Sequence, residues 1–197
     1  MKIKIIGIGG YGANFHSRLS SDILNGAEYI QFDTDSNLLT NTTIPNKILL
    51  DKNNLTTNET TDIIKQNIQN SDLIIIIAAM GGIAGTTISP IVAKIAKEAG
   101  IFSIVLTTTP FLFEYIARGQ NAKKGIENLK QYADILKVFA NQDIFNKQIG
   151  NNIKQSQMFE IIDSPYQKIV ETICQEFKST NIKDINFDNI KNIIEQN

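Results

Sequence analysis

Four consecutive isoleucines, Ile74–Ile77, lie inside the short run Asp72–Ala78. A strand with one wet face alternates polar and apolar residues. A run apolar at both parities must be covered on both faces, which is the environment of a central strand in a parallel sheet. The neighbouring segments follow from that one. Lys2–Ile8, Ala27–Phe32, Lys47–Leu50, Ile101–Leu106 and Asp134–Phe139 read as further strands. Helical patterns fall between them at Tyr11–Leu24, Thr60–Gln69, Thr86–Ala99 (stopped by Gly100) and Ile116–Gln131, with a mostly looped stretch over Asn41–Thr60. Alternating strand and helix predicts an α/β fold, a three-layer Rossmann-like parallel sheet with helices on both faces. A long helix over Ser156–Lys178 carries Phe159, Ile162, Ile169, Ile173 and Phe177 at helical spacing, and a short one near Asp188–Glu195 closes the chain.

Composition removes many functions. Nineteen basic residues against twenty acidic ones give a net charge of −1, which supplies no field for nucleic acid or an anionic membrane. Only Arg18 and Arg118 are arginines, and the single His16 and Cys174 leave no material for a disulfide framework or a cysteine-cluster metal site. No apolar run approaches the roughly 18 residues needed to span a bilayer, so the expectation is a cytoplasmic protein without membrane insertion or nucleic-acid partners. The 36 isoleucines and 21 asparagines match an AT-rich coding bias.

Two glycine-rich turns carry the chemistry. Gly7-Ile8-Gly9-Gly10-Tyr11-Gly12 follows the first strand and opens a helix. Residues without Cβ let backbone N–H groups approach phosphate oxygens, and a helix N-terminus favours an anion. Alone, this turn also fits a dinucleotide fingerprint, with Asp33 or Asp35 holding a ribose, as in an NAD(P)-binding oxidoreductase. The second turn, Met80-Gly81-Gly82-Ile83-Ala84-Gly85-Thr86-Thr87, follows the isoleucine strand. Two such turns on one sheet can bracket a polyphosphate, with Thr86 and Thr87 as phosphate or N-cap donors. Neither ends in Gly-Lys-[Ser/Thr], which argues against a P-loop.

In order along nearly the whole chain, these segments resemble the nucleotide-binding domain of FtsZ, the bacterial relative of tubulin. IKIIGIGGYGAN is similar to that family's first phosphate loop, with Gly9, Gly10 and Gly12 around phosphate and Asn14 at a guanine-contacting position. GAEYIQFDTDSNLL resembles the second loop, usually Asn-Thr-Asp, with Asp33 in place of the Asn. AAMGGIAGTTISP resembles the tubulin signature GGGTGTG through Gly81, Gly82, Gly85, Thr86 and Thr87, although Ile83 and Thr87 stand where glycines are usual. The resemblance implies ribose contact by Glu114, terminal-phosphate contact by Arg118 and a site role for Asn141. On the long helix it implies that Phe159 packs on the base and Asp163 reads it. Four residues apart, these two share a helix face, and a carboxylate accepts from the N1–H and N2 amine that guanine has and adenine lacks.

The pattern also breaks. The family's hydrolysis loop reads Asn-x-Asp-Phe-x-Asp and acts on the next subunit's phosphates. Here the segment is Asp184-Ile185-Asn186-Phe187-Asp188-Asn189, with amides at both acid positions and Asp184 or Asp188 as the nearest compensation. An amide is a very poor base, and positioned acid–base help is worth about 10²–10⁴-fold, so hydrolysis is expected to be weak. The third loop, Leu50–Thr57, has no glycine, which puts a GTP-over-GDP preference in doubt. The resemblance implies a nucleotide domain over residues 1–155, a long core helix over 156–178, and a loop with a short helix over 179–197. The resemblance further implies that the family's second domain is not among these 197 residues. Implied ligands are GTP or GDP, with Mg²⁺ accompanying a triphosphate at an unassigned site. The implied protein partners are FtsZ-like subunits in head-to-tail contact. A nucleotide-independent filament-capping module is the remaining alternative.

Overall fold

The computed structural model describes residues 1–24, 26–148, 155–177, 184 and 186–196. Six strands form one parallel sheet: β1 (Ile3–Ile8), β2 (Glu28–Asp33), β3 (Asn46–Leu49), β4 (Leu73–Ala79), β5 (Phe102–Thr109) and β6 (Ile135–Ala140), in the order β3-β2-β1-β4-β5-β6. The chain winds outwards from β1 in one direction and from β4 in the other. The crevice at their carboxyl ends is therefore the place where open α/β sheets bind ligands.

The helices are α1 (Gly9–His16), α2 (Ser21–Leu24), α3 (Ser36–Thr40), α4 (Asn58–Ile68), α5 (Ile83–Glu98), α6 (Ile116–Tyr132), α7 (Asn141–Gln148), α8 (Gln155–Phe177) and α9 (Phe187–Gln196). The isoleucine run divides by parity as a central strand must. Ile75 and Ile77 join a core with Phe15, Tyr166, Ile173 and Ile190 beneath α1, α8 and α9, while Ile74 and Ile76 join the opposite core with Ile64, Ile88 and Leu129 beneath α4, α5 and α6. The three-layer sheet expected from the sequence is the observed fold.

The expected helix over Tyr11–Leu24 is not continuous. It stops at His16 because the Ser17 hydroxyl donates to the Asn14 carbonyl at 2.7 Å and the chain turns before restarting at Ser21. Serines that bond the local backbone in this way offer it an alternative to the helical ladder. Two short helices, α3 and α7, were not expected. Asp35 caps α3 by accepting from the Asn37 N–H.

Candidate functional site

In the register, Gly7 lies opposite Ile77 and Ile8 opposite Ala78, so β1 and β4 end level with one another. Their glycine turns are therefore adjacent: a Cβ on Gly9 would sit 3.4 Å from the Ala84 methyl and 3.9 Å from the Gly85 nitrogen. Each turn contains one left-handed glycine, Gly9 at φ +70° and Gly81 at φ +106°, a conformation that L side chains rarely adopt.

The other glycines divide between two tasks. A Cβ on Gly12 would lie 2.6 Å from the Gly7 backbone, and one on Gly85 would lie 2.1 Å from the Ala79 carbonyl oxygen. These two let α1 and α5 press onto the strands that precede them. Gly10 and Gly82 face space instead, with nearest atoms at 3.6 Å (Leu38 Cδ1) and 3.8 Å (Arg118 Nη2). Open backbone at a helix start, beside a guanidinium, is suited to an anion.

The first turn is held from below by β2. Gln31 Nε2 donates to the Gly9 carbonyl at 2.8 Å, and the Tyr29 hydroxyl donates to the Gly12 carbonyl at 2.6 Å. Both side chains are buried, and burial pushes the Tyr29 phenol well above its ordinary range. Sequence reading missed both residues. Their only signal was polarity inside an otherwise apolar strand. The second turn is tied by Thr86, whose hydroxyl accepts from the Gly81 N–H at 2.8 Å, while Gly82 at the helix N-cap receives no side-chain hydrogen bond. Thr87 is half-buried on the same turn.

A cavity of about 290 Å³ opens beside the second turn, lined by Ala79, Met80, Thr108, Pro110, Phe111, Phe113, Glu114, Arg118, Asn141, Tyr11 and Ile162. It brings together three residues singled out from the sequence. Glu114 accepts from the Phe111 N–H at 2.8 Å and from Arg118 Nη1 at 2.7 Å, which fixes its carboxylate across the mouth. Asn141 opens α7, and its Oδ1 is buried without a hydrogen-bond partner among the described residues. An orphaned acceptor on a cavity wall is the kind of group that a donor on a ligand satisfies.

Asp33 closes β2 and is buried. Its Oδ1 accepts from the Thr34 and Asp35 N–H groups at 2.7 and 3.1 Å, while Oδ2 has no partner among the described residues. Burial raises its pKa, with the two N–H groups pulling the other way. Asn14 is exposed on α1. Asp163, on α8, is fully buried, accepting from the Tyr11 hydroxyl at 2.6 Å and from Arg18 Nη1. Phe159 belongs to α8, but its side chain lies outside the described residues.

The segment with the amides lies elsewhere. The first half of α8 meets α1 at the Tyr11–Asp163 bond, and Gln167 Nε2 donates to the Arg18 carbonyl, in the turn after α1, at 2.6 Å. Phe177 is ten residues further on, about 15 Å along the axis, and the chain then passes to α9. Asp184, Asn186, Asp188 and Asn189 are all exposed there. Asn186 caps α9, its Oδ1 accepting from the Asp188 N–H at 2.9 Å, and Asp188 sits in the first turn of that helix. Among the described residues no cluster of His, Cys, Asp or Glu could hold a metal ion, and no helix is long and apolar enough to cross a membrane.

A family model described as Tubulin/FtsZ family, GTPase domain, matches residues 2–148. The chain belongs to the tubulin/FtsZ family. It is 30% identical over 210 aligned positions to the cell division protein FtsZ of Aquifex aeolicus, covering 99% of this chain and 57% of that protein. It is 34% identical over 184 positions to FtsZ of Mycoplasmopsis pulmonis, covering 87% of this chain and 47% of the relative. Among solved structures it superposes on the empty FtsZ dimer of M. jannaschii with a TM-score of 0.81 at 29% identity, over 98% of this chain and 60% of that one. The chain thus spans about half to three-fifths of the length of these relatives. Membership of the tubulin/FtsZ family places the two glycine turns in a GTPase domain, and it disfavours the dinucleotide oxidoreductase that Gly7, Gly9, Gly12 and Asp33 alone allowed.

Proposed function

We propose that this domain binds GTP or GDP across the carboxyl ends of β1 and β4, and that alone it hydrolyses GTP poorly. The observation that carries the reading is the pairing of two glycine turns, each with a left-handed glycine, level with one another beside a largely apolar cavity that Glu114, Arg118 and Asn141 also line. The open faces of Gly10 and Gly82 suit phosphate oxygens, and the exposed Arg118 guanidinium adds positive charge beside Gly82. Thr86 and Thr87 stand at the same helix start. Glu114 suits a ribose hydroxyl, Asn141 offers an acceptor unpaired among the described residues, and Asn14, Phe159 and Asp163 are the candidates for the base.

Mg²⁺ would be held chiefly by the phosphates of a bound triphosphate, where it would neutralise charge, since the described residues supply no dedicated ligand set. Poor hydrolysis follows from the other end of the molecule. Asn186 and Asn189 carry neither negative charge nor a usable base, and Asn186 is occupied in capping α9. The direction of α8 separates that segment from the glycine turns, so chemistry requires a second subunit.

The mouth of the cavity supports such a contact. Leu112, Phe113, Tyr115 and Ile116 are 71–84% exposed beside Glu114 and Arg118, an apolar rim suited to another subunit. A head-to-tail contact of this kind is heterologous and propagates as an open filament. The functional class is a cell-division or cytoskeletal filament protein acting in the cytoplasm.

The reading is tested by melting the purified domain with GDP, GTP and NAD. A ligand at 100 times its dissociation constant adds about 2.7 kcal/mol. At roughly 2–4 °C per kcal/mol this raises Tm by about 5–11 °C for the guanine nucleotides and leaves it unchanged with NAD. Stabilisation by NAD alone contradicts the site. Loss of all nucleotide stabilisation favours the capping module. Rapid, concentration-dependent GTP turnover by the domain contradicts poor hydrolysis.

A further inference from the structure

The carboxylate assigned to guanine is already engaged by the chain itself. Both oxygens of Asp163 accept from donors of the first glycine turn and the segment after it: Oδ1 from the Tyr11 hydroxyl, Oδ2 from the Arg18 guanidinium. Asp163 has no exposed surface, while the Arg18 side chain remains 27% exposed, so the acid is the covered member of the pair. Tyr11 is also a wall of the cavity, together with Ile162, the residue before Asp163 on α8. Its ring rests edge-on against Tyr166, centroids 6.4 Å apart, and Gln167 holds the Arg18 backbone. The cover is thus braced by α8 three and four residues beyond Asp163.

A phenol O–H and a guanidinium N–H are donors of the same kind as the N1–H and N2 amine that a guanine edge presents. A base entering the cavity meets Tyr11 before it meets the acid. We propose that Tyr11 and Arg18 form an internal cover on Asp163, competing with guanine for its carboxylate, so that nucleotide binds only when they withdraw. The proposal rests on the nucleotide site described above and adds its regulation. A binding-competent form that is a minority species weakens apparent affinity in proportion to its population. If the cover is withdrawn in about one molecule in ten, removing it tightens binding about tenfold.

The test is calorimetric titration of GDP into the wild type and into Tyr11→Ala, Tyr11→Phe, Arg18→Gln and Asp163→Ala. Tyr11→Phe keeps the ring and its packing while deleting the donor, so it reports even where the alanine variant folds poorly. The cover predicts tighter GDP binding in Tyr11→Ala and Tyr11→Phe, and in Arg18→Gln, with binding lost in Asp163→Ala. Unchanged or weaker binding in the Tyr11 variants, with the wild type binding and Asp163→Ala not, overturns the cover and leaves the site intact. Weaker binding would mean that Tyr11 positions the acid rather than covering it. Absence of GDP binding in every folded protein overturns the site and the cover together.

Discussion

The glycines of the two turns make separable predictions, because the structure assigns them different work. At Gly85 an added Cβ lies 2.1 Å from the Ala79 carbonyl oxygen and 3.1 Å from its carbon, whereas ordinary contact begins at 3.4 Å. The first turn of α5 must therefore withdraw from β4 by more than an ångström. Both partners are backbone in the centre of the sheet, so no side chain can swing aside. Overpacking of this kind costs about 1–3 kcal/mol. For a domain of this size that is a Tm loss of roughly 2–12 °C in Gly85→Ala. Gly82 is the contrast: its φ is −85°, open to any residue, and its nearest neighbour is Arg118 Nη2 at 3.8 Å. Gly82→Ala is expected to melt within about 2 °C of the wild type, yet its methyl occupies space proposed for phosphate, and GDP affinity falls about tenfold or more. Differential scanning fluorimetry and GDP titration on the same samples separate the two effects. A Gly82→Ala protein that binds GDP normally refutes the assignment of that open face to phosphate. An unaltered Tm in Gly85→Ala refutes the packing reasoning.

Tyr29→Phe deletes the buried bond to the Gly12 carbonyl and leaves that acceptor unpaired, so Tm should fall by roughly 2–12 °C, the equivalent of about 1–3 kcal/mol. Asp33 titrates with a definite sign. Its folded-state pKa is raised by burial, so the folded protein keeps this proton to higher pH than the unfolded chain does. Its contribution to stability is fully present below the ordinary carboxylate pKa of 3.8 and is lost as pH rises through the raised value. Asp33→Asn keeps the two backbone bonds, and its Tm advantage should grow with pH from 3.5 to 8; an advantage independent of pH counts against the sign. Asn186→Asp with Asn189→Asp should leave Tm unchanged, because Asp caps a helix as well as Asn does. The same pair should raise GTP turnover, by about 10²-fold or more, only at concentrations where subunits meet. Turnover that rises independently of concentration contradicts action across a contact.

The sheet was legible because its signal is local. A run such as Ile74–Ile77 can satisfy both faces in only one kind of place, and the turns after β1 and β4 announce themselves by glycine. Helix breaks were less visible. Ser17 ends α1 through one hydroxyl bond, a choice that competes with helix continuation by a small margin. The internal support of the site was hidden for a different reason. Tyr11 and Asp163 are 152 residues apart and Arg18 and Asp163 are 145 apart, and no periodicity announces contacts of that range. Tyr11 did interrupt the first glycine run, which was a visible anomaly without a visible partner. Gln31 and Tyr29 are similar: polar atoms in a buried strand must find partners, but only the fold shows that those partners are the Gly9 and Gly12 carbonyls. The Asn186 and Asn189 substitutions were visible against the family pattern, whereas the capping role of Asn186 needed the start of α9.

The central claim, a guanine-reading nucleotide site between the two glycine turns, is tested most directly by titrating GDP and ADP separately into the purified domain by calorimetry. The account predicts one saturable site for GDP and binding of ADP weaker by at least about 10²-fold, since adenine presents no N1–H or N2 amine to Asp163. Equal affinity for the two nucleotides, or saturable binding of ADP without GDP, would contradict it.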